Sequence, residues 1–184
     1  MKTLDELSIA PSPLGSEELN SEAGIAELDN SAVLKWSDGL METHHLVRNV
    51  RKATLEQETL SRMHHNEAKK WSAKEGERAR KIEAYHRSMS GQDDDVEWIE
   101  ENIRLISIHD SSIAAVVIEN ALNLNDNQKL RSDAALLALD RGETRIAQIH
   151  IAKMNHSPSK RLFESRLARI CLLYTSDAAD DRIG

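Results

Sequence analysis

Residues 60–90 decide the fold and read LSRMHHNEAKKWSAKEGERARKIEAYHRSMS. The stretch has no proline and is rich in strong helix formers such as Ala, Glu, Lys and Arg. Its apolar residues recur mostly at steps of three and four, as on one face of a helix, and the same spacing extends back to residue 33. We therefore predict a long helix, or a helical hairpin, over residues 31–90. The apolar positions are Val33, Trp36, Leu40, Val47, Val50, Ala53, Leu60, Met63, Ala68, Trp71, Ala79, Ile82, Tyr85 and Met89.

A single helix of this length would span roughly 90 Å, at 1.5 Å per residue. Such a helix needs a surface that covers its apolar stripe, either its own folded-back half or another chain. The stripe departs from a strict coiled-coil heptad because Thr54 and Gln57 interrupt it. Gly76 is the weak point of the predicted helix, since glycine favours a break.

A small helical domain is predicted over residues 96–170, after the break formed by residues 91–95. Apolar residues recur there at helical spacing in five short segments. Asp110 offers N-cap chemistry to the second segment, Gly142 stops the third, and Ser157 with Pro158 opens the fifth. The predicted fold class is therefore all-α.

The N-terminal segment, residues 1–28, is predicted to be a disordered acidic arm. Residues 1–30 hold one Lys and seven acidic residues, whereas residues 31–90 carry a net charge of +4. Two prolines and two glycines interrupt the arm, and no apolar period is sustained. The arm either masks the basic segment that follows or serves as a solubilising tail.

The C-terminal stretch from Cys171 reads CLLYTSDAAD and resembles the translation of a transposase-type sequencing adapter. One reading frame of that adapter gives these ten residues in order. We therefore expect residues 171–184 to be non-native, and the native segment to end near residue 170 with its natural C-terminus missing. The helical domain over residues 96–170 is then truncated, and its native part contains no cysteine.

Composition excludes several classes of protein. The chain has 184 residues, 40% of them hydrophobic and 30% charged, with one Cys and a net charge of -7. A disulfide scaffold and a collagen-like chain are excluded. No apolar run approaches the roughly 18 residues of a membrane span, and no signal peptide opens the chain. We expect a cytoplasmic protein with no membrane association and no cofactor.

Catalytic motifs are absent from the sequence, which contains neither a Gly-x-Ser-x-Gly elbow nor a glycine-rich phosphate loop. We therefore expect a non-catalytic assembly or adaptor protein. It would act through the long helix, by contacts with a protein partner or by self-association into an oligomer.

Nucleic-acid binding is the alternative function. Cations would neutralise phosphates while aromatic rings stack on bases of single-stranded nucleic acid. Acidic residues dilute this stretch, and a solvated helix face is the competing interpretation. The candidate residues are Lys69, Lys70, Trp71, Lys74, Arg78, Arg80, Lys81, Tyr85 and Arg87.

The order of parts over residues 33–155 resembles the recombination-mediator proteins of large tailed phages. A long charged helix ends in Tyr85 and a Ser90–Gly91 turn, and a short helical domain follows. The resemblance implies a role in loading recombinase on single-stranded DNA.

A di-metal enzyme is the third hypothesis. Glu42 with His45, and Glu83 with His86, form two Glu-x-x-His pairs that resemble those of ferritin-like di-iron bundles. The two pairs would meet only if the helix folds back near residue 63. Exposed helix residues without a ligand are the competing interpretation.

Overall fold

The computed structural model describes residues 2–180, with side chains described through Leu172. The chain forms two compact units, one of residues 1–90 and a second that begins at Gly91. Both are mostly helical, as the sequence predicts. None of the helices within residues 2–180 has the length and apolar character needed to cross a membrane.

The first unit contains a two-stranded sheet and five helices in its described part. Its elements are α1 Lys2–Ile9, a 3-10 turn Ser16–Glu18, α2 Ile25–Asn30, β1 Leu34–Ser37, β2 Leu40–Thr43, α3 His45–Thr54, α4 Gln57–Ser72 and α5 Glu77–Ser90.

The prediction of a disordered arm over residues 1–28 is wrong. Helix α1 buries Leu7 and Ile9, and the chain then places Leu14 in the same core as Trp71 and Ile82. The backbone N–H of Leu14 donates a hydrogen bond of 2.9 Å to the carbonyl oxygen of Met41, and the N–H of Met41 donates one of 2.8 Å to the carbonyl oxygen of Leu14. The segment folds because distant residues cover its few apolar side chains, so it needs no long apolar period of its own.

The single long helix over residues 31–90 is also absent. Strands β1 and β2 pair antiparallel, with Trp36 opposite Met41. The hairpin turns at Asp38 and Gly39, whose φ angles are 51° and 78°. An Asp-Gly pair favours such turns because both central residues adopt positive φ. This local preference overrides the helical spacing of the neighbouring apolar residues.

Helices α4 and α5 form a helical hairpin over residues 57–90 only, so a hairpin over the whole of residues 31–90 is not formed, and the expected fold-back near residue 63 lies inside α4. The chain reverses between residues 73 and 76, and Gly76 adopts a φ of 102°. The two helices bury Ala68, Trp71, Ala79 and Ile82. The apolar stripe in this part of the chain is therefore covered within the first unit.

The described part of the second unit contains five helices. Asp110 caps α7 by accepting hydrogen bonds from the backbone N–H groups of Ser112 and Ile113, at 3.1 and 3.0 Å. Gly142 follows the end of α8 and has a φ of 71°, a left-handed conformation that glycine commonly adopts just after a helix. The helices are α6 Asp93–His109, α7 Ser111–Leu124, α8 Gln128–Asp140, α9 Thr144–Lys153 and α10 Pro158–Asp180.

Residues 171–180 of the adapter-like stretch continue α10 in the structure, and residues 181–184 lie outside the described residues. The prediction that this stretch is non-native rests on its sequence alone and stays a prediction. Phe163, in the part of α10 before this stretch, packs in a core formed with α8 and α9.

Candidate functional site

The predicted nucleic-acid residues lie on the α4–α5 hairpin, but Trp71, one of their two aromatic residues, is not available for stacking. Trp71 is only 2% exposed and belongs to the core of the first unit. The Nζ atom of Lys74, in the turn, lies 4.2 Å from the centre of the Trp71 ring. Lys69 is exposed on α4, whereas Arg80, Lys81 and Tyr85 are half-buried on α5. A base cannot stack on an indole that is already buried.

Carboxylates neutralise three of the cations in this stretch. Lys70 contacts Glu6 and Glu67, the latter at 2.6 Å. Arg78 donates two hydrogen bonds of 2.8 Å to Glu18, and this interaction lowers the pKa of the Glu18 carboxyl. Glu6 and Glu18 belong to the N-terminal segment, so that segment does cover part of the basic stretch.

Arg87, the third of these cations, pairs with Glu83 at 2.8 Å one helical turn away. This is the i,i+4 arrangement that stabilises a helix. Together the pairs weaken the case for nucleic-acid binding, because phosphates would have to displace carboxylates that are already bound.

The predicted metal ligands do not form a shared site. Glu42 lies on β2 and contacts Lys35 at 3.3 Å, and His45 is exposed at the start of α3. Glu83 is held by Arg87, and His86 faces another histidine. Among the described residues, no group of three or more His, Cys, Asp or Glu side chains is arranged to hold a metal ion.

A buried histidine pair joins α4 and α5. The Nδ1 atoms of His64 and His86 are 2.8 Å apart, so one ring donates and the other accepts. The Tyr85 ring lies against both, with centroids 5.9 and 5.5 Å away. Burial lowers the pKa of His64 to about 4 and holds the pKa of His86 well below its usual value. Both rings are therefore neutral near pH 7.

A groove in the second unit lies between α7 and α9 and is floored by α8. Its volume is about 290 Å³. Small and branched apolar side chains make up most of its lining, which suits the docking of aliphatic groups. The lining residues are Ala115, Val116, Ile118, Glu119, Asn120, Ala134, Leu137, Ala138, Glu143, Ile146 and His150. We call this surface the α7–α9 groove.

A histidine–carboxylate pair closes one end of the α7–α9 groove. His150 Nε2 lies 2.8 Å from Glu119 Oε1, and His150 Nδ1 lies 3.5 Å from Arg131 Nη1. The Glu119 carboxylate accepts the hydrogen bond that His150 Nε2 donates. Asp126 fixes Arg131 through a hydrogen bond of 2.8 Å, which lowers the pKa of the Asp126 carboxyl.

Aliphatic side chains form the exposed rim of the α7–α9 groove. Val116 on α7 is 46% exposed, and Ile146 on α9 is 42% exposed. Ile149, one turn further along α9, is exposed to a similar degree. Clustered exposed aliphatic residues around a concave surface are typical of interaction sites rather than of ordinary surface.

Sequence reasoning missed this groove because its two key polar residues, Glu119 and His150, lie 31 positions apart on different helices. The two residues do not form a recognisable sequence motif. The helical spacing identified each helix, but the pairing of α7 with α9 across α8 depends on tertiary packing.

Comparison with protein-family models, curated proteins and solved structures found no match to this chain.

Proposed function

We propose that this chain is a non-catalytic assembly protein whose second unit binds an amphipathic helix of a protein partner in the α7–α9 groove. The observation that carries the proposal is the combination of an apolar floor with an exposed aliphatic rim at Val116 and Ile146. Helix-in-groove recognition buries apolar residues of the ligand helix at spacings of three and four.

The apolar stripe over residues 31–90 is only partly exposed, with Val50 at 64% exposed. The predicted adaptor role depended on an uncovered stripe along residues 31–90. In the structure, Trp71 and Ile82 of that stripe are buried in the α4–α5 hairpin. The α7–α9 groove is a concave apolar surface that a partner helix would cover.

The charges of the groove favour a basic ligand. Two carboxylates, Glu119 and Glu143, line it, and Glu119 is half exposed with the His150 imidazole as its contact. Glu143 accepts a hydrogen bond from Arg141 at 2.9 Å, which leaves Glu119 as the main anionic anchor. Residues 91–170 together carry a net charge of -3. Complementary charge speeds association and sets the orientation of the partner.

A designed peptide tests this function directly. We expect a fluorescent helix of about 14 residues, with Leu on one face and Lys on the other, to bind the full chain saturably. Val116→Glu and Ile146→Glu should each weaken binding about tenfold or more, because each places a charge on the apolar rim. Fluorescence anisotropy gives the dissociation constants.

Two controls accompany the peptide. Ile108→Glu alters an exposed isoleucine outside the groove and should leave the dissociation constant unchanged. A peptide in which every Lys is replaced by Glu should bind more weakly than the basic one. Equal binding by all variants, or by both peptides, would contradict a role for the groove.

A further inference from the structure

We infer that Arg48 and Lys52 of α3, together with His64 of α4, form a binding site for a small oxyanion such as inorganic phosphate. The three residues belong to the first unit, whereas the α7–α9 groove belongs to the second. Two observations support the site: buried nitrogen atoms that have no hydrogen-bond partner, and positive charges that have no carboxylate beside them.

Helix α3 turns one side to solvent and packs the other on its own unit. Leu46 and Val50 are exposed, whereas Arg48 and Lys52 are half-buried. Positions 48 and 52 are four residues apart, so their side chains lie on the same face of the helix. Burial is the main cause that lowers the pKa of Lys52, and the neighbouring Arg48 charge lowers it further. Two cations are thereby held side by side in a partly dehydrated place.

These two cations lack the carboxylate that neutralises the third cation of α3, Arg51, which pairs with Asp5. Within the part of the chain whose side chains the structure describes, neither Arg48 nor Lys52 has an ion-pair partner. Dehydrated positive charge without a counter-charge is unfavourable. A bound anion would supply the missing counter-charge.

Two buried nitrogen atoms of this site, Arg48 Nε and His64 Nε2, have no hydrogen-bond partner among the described residues. His64 is 1% exposed, and Lys52 lies near enough for its charge to add to the lowering of the pKa of that ring. Buried polar nitrogens in folded proteins are nearly always bonded to protein, to water or to a ligand. The oxygens of an anion would accept hydrogen bonds from both.

The His86 ring decides which nitrogen of His64 donates. The two Nδ1 atoms are 2.8 Å apart. In the proposed site His86 donates this hydrogen bond, so His64 carries its hydrogen on Nε2 and donates it to the anion. Phosphate suits such a site because it offers several strong acceptor oxygens and up to two negative charges near neutral pH.

Isothermal titration calorimetry of the full chain with sodium phosphate tests the inference. We expect saturable binding, with no comparable heat from sodium chloride at the same ionic strength. Arg48→Gln and Lys52→Gln should each weaken binding about tenfold or more, because each removes a charged hydrogen-bond donor. Circular dichroism checks that each variant is folded.

Two further measurements separate a binding role from a structural one. The ring nitrogen signals of His64 in NMR spectra should shift with phosphate along the same saturation curve, and those of His65, which is exposed on the same helix, should not. Without phosphate, Lys52→Gln should unfold at the same temperature as the unaltered chain or higher, because burial disfavours the charged Lys52. A lower unfolding temperature would make Lys52 a structural residue and contradict its role in the site.

The matched control is Arg62→Gln, which removes an exposed arginine of α4 and should leave the dissociation constant unchanged. Equal weakening by Arg62→Gln and by Arg48→Gln would indicate a general charge effect and overturn the site. A folded chain that binds no phosphate would overturn it as well. Binding of a single-stranded oligonucleotide without binding of free phosphate would assign the cations to nucleic acid and likewise overturn the inference.

Discussion

Replacing Leu7 with Ala is expected to lower the free energy of unfolding of the first unit by about 2–5 kcal/mol. The Leu7 side chain is 1% exposed and packs in the core that contains Met41 and Trp71. Truncation removes buried methyl groups and leaves a cavity that the neighbours only partly fill. Urea denaturation followed by circular dichroism measures the change, and hydrogen exchange of amides in α4 and α5 assigns it to this unit.

The control for Leu7→Ala is the same substitution at Leu46, which is exposed on α3. That change should alter the free energy of unfolding by no more than about 0.5 kcal/mol. If the two substitutions had equal effects, the N-terminal segment would not belong to the core. Comparing the two substitutions therefore tests whether the N-terminal segment is folded, as in the structure, or disordered, as the sequence predicts.

The N-terminal segment escaped prediction because distant residues hold it in place. The Asn20 side chain donates a hydrogen bond of 2.8 Å to Glu67, and the Glu6 carboxylate accepts two from the Asn20 backbone N–H, each at 3.1 Å. These contacts join residues 14 and 47 positions apart. Composition and local spacing describe only neighbours along the chain, so they indicate disorder where tertiary contacts produce order.

The hairpin of β1 and β2 had a local signal that the helical spacing concealed. Asp38 and Gly39 form the residue pair that favours a tight hairpin turn. Apolar residues on two short strands also fall at intervals of three to five, which a helix pattern accepts. The break at Gly76 was identifiable from sequence because glycine there lies inside an otherwise uninterrupted helical stretch.

The second unit was the more predictable half of the chain because its boundaries are set by neighbouring residues. The Asp110 carboxylate and the Asn127 side chain each accept a backbone hydrogen bond at a helix start, and Gly142 follows a helix end. The candidate site could not be predicted from neighbouring residues, because it joins Glu119 on α7 to His150 on α9. Spacing along the chain cannot predict which helices will face each other.

The first unit is expected to lose stability on acidification through the His64–His86 pair. Burial is the main cause of the lowered pKa of His64, which falls to about 4, and the nearby Lys52 charge adds to it. The Nε2 atom of His64 is buried with no hydrogen-bond partner among the described residues, so a proton there would be poorly stabilised. For His86, burial is again the main cause, followed by the charges of His64 and Lys70.

The sign of the effect follows from which state binds more protons. The unfolded chain takes up protons near the ordinary histidine pKa of about 6.5, whereas folded His64 does so only near pH 4. The contribution of neutral His64 to the free energy of unfolding is therefore fully present above about pH 6.5 and is lost as the pH falls toward 4. For His64 alone the loss amounts to about 3 kcal/mol, since one pKa unit corresponds to about 1.4 kcal/mol.

Comparing two variants isolates this effect. The double variant His64→Leu with His86→Leu removes both rings, and its free energy of unfolding should fall less between pH 7 and pH 4 than that of the unaltered chain, by at least the roughly 3 kcal/mol assigned to His64. Replacing His65, which is exposed on the same helix, with Gln should leave the pH dependence unchanged. Urea denaturation at several pH values gives each free energy. Parallel curves for the double variant and the unaltered chain would show that the buried pair does not control the acid response.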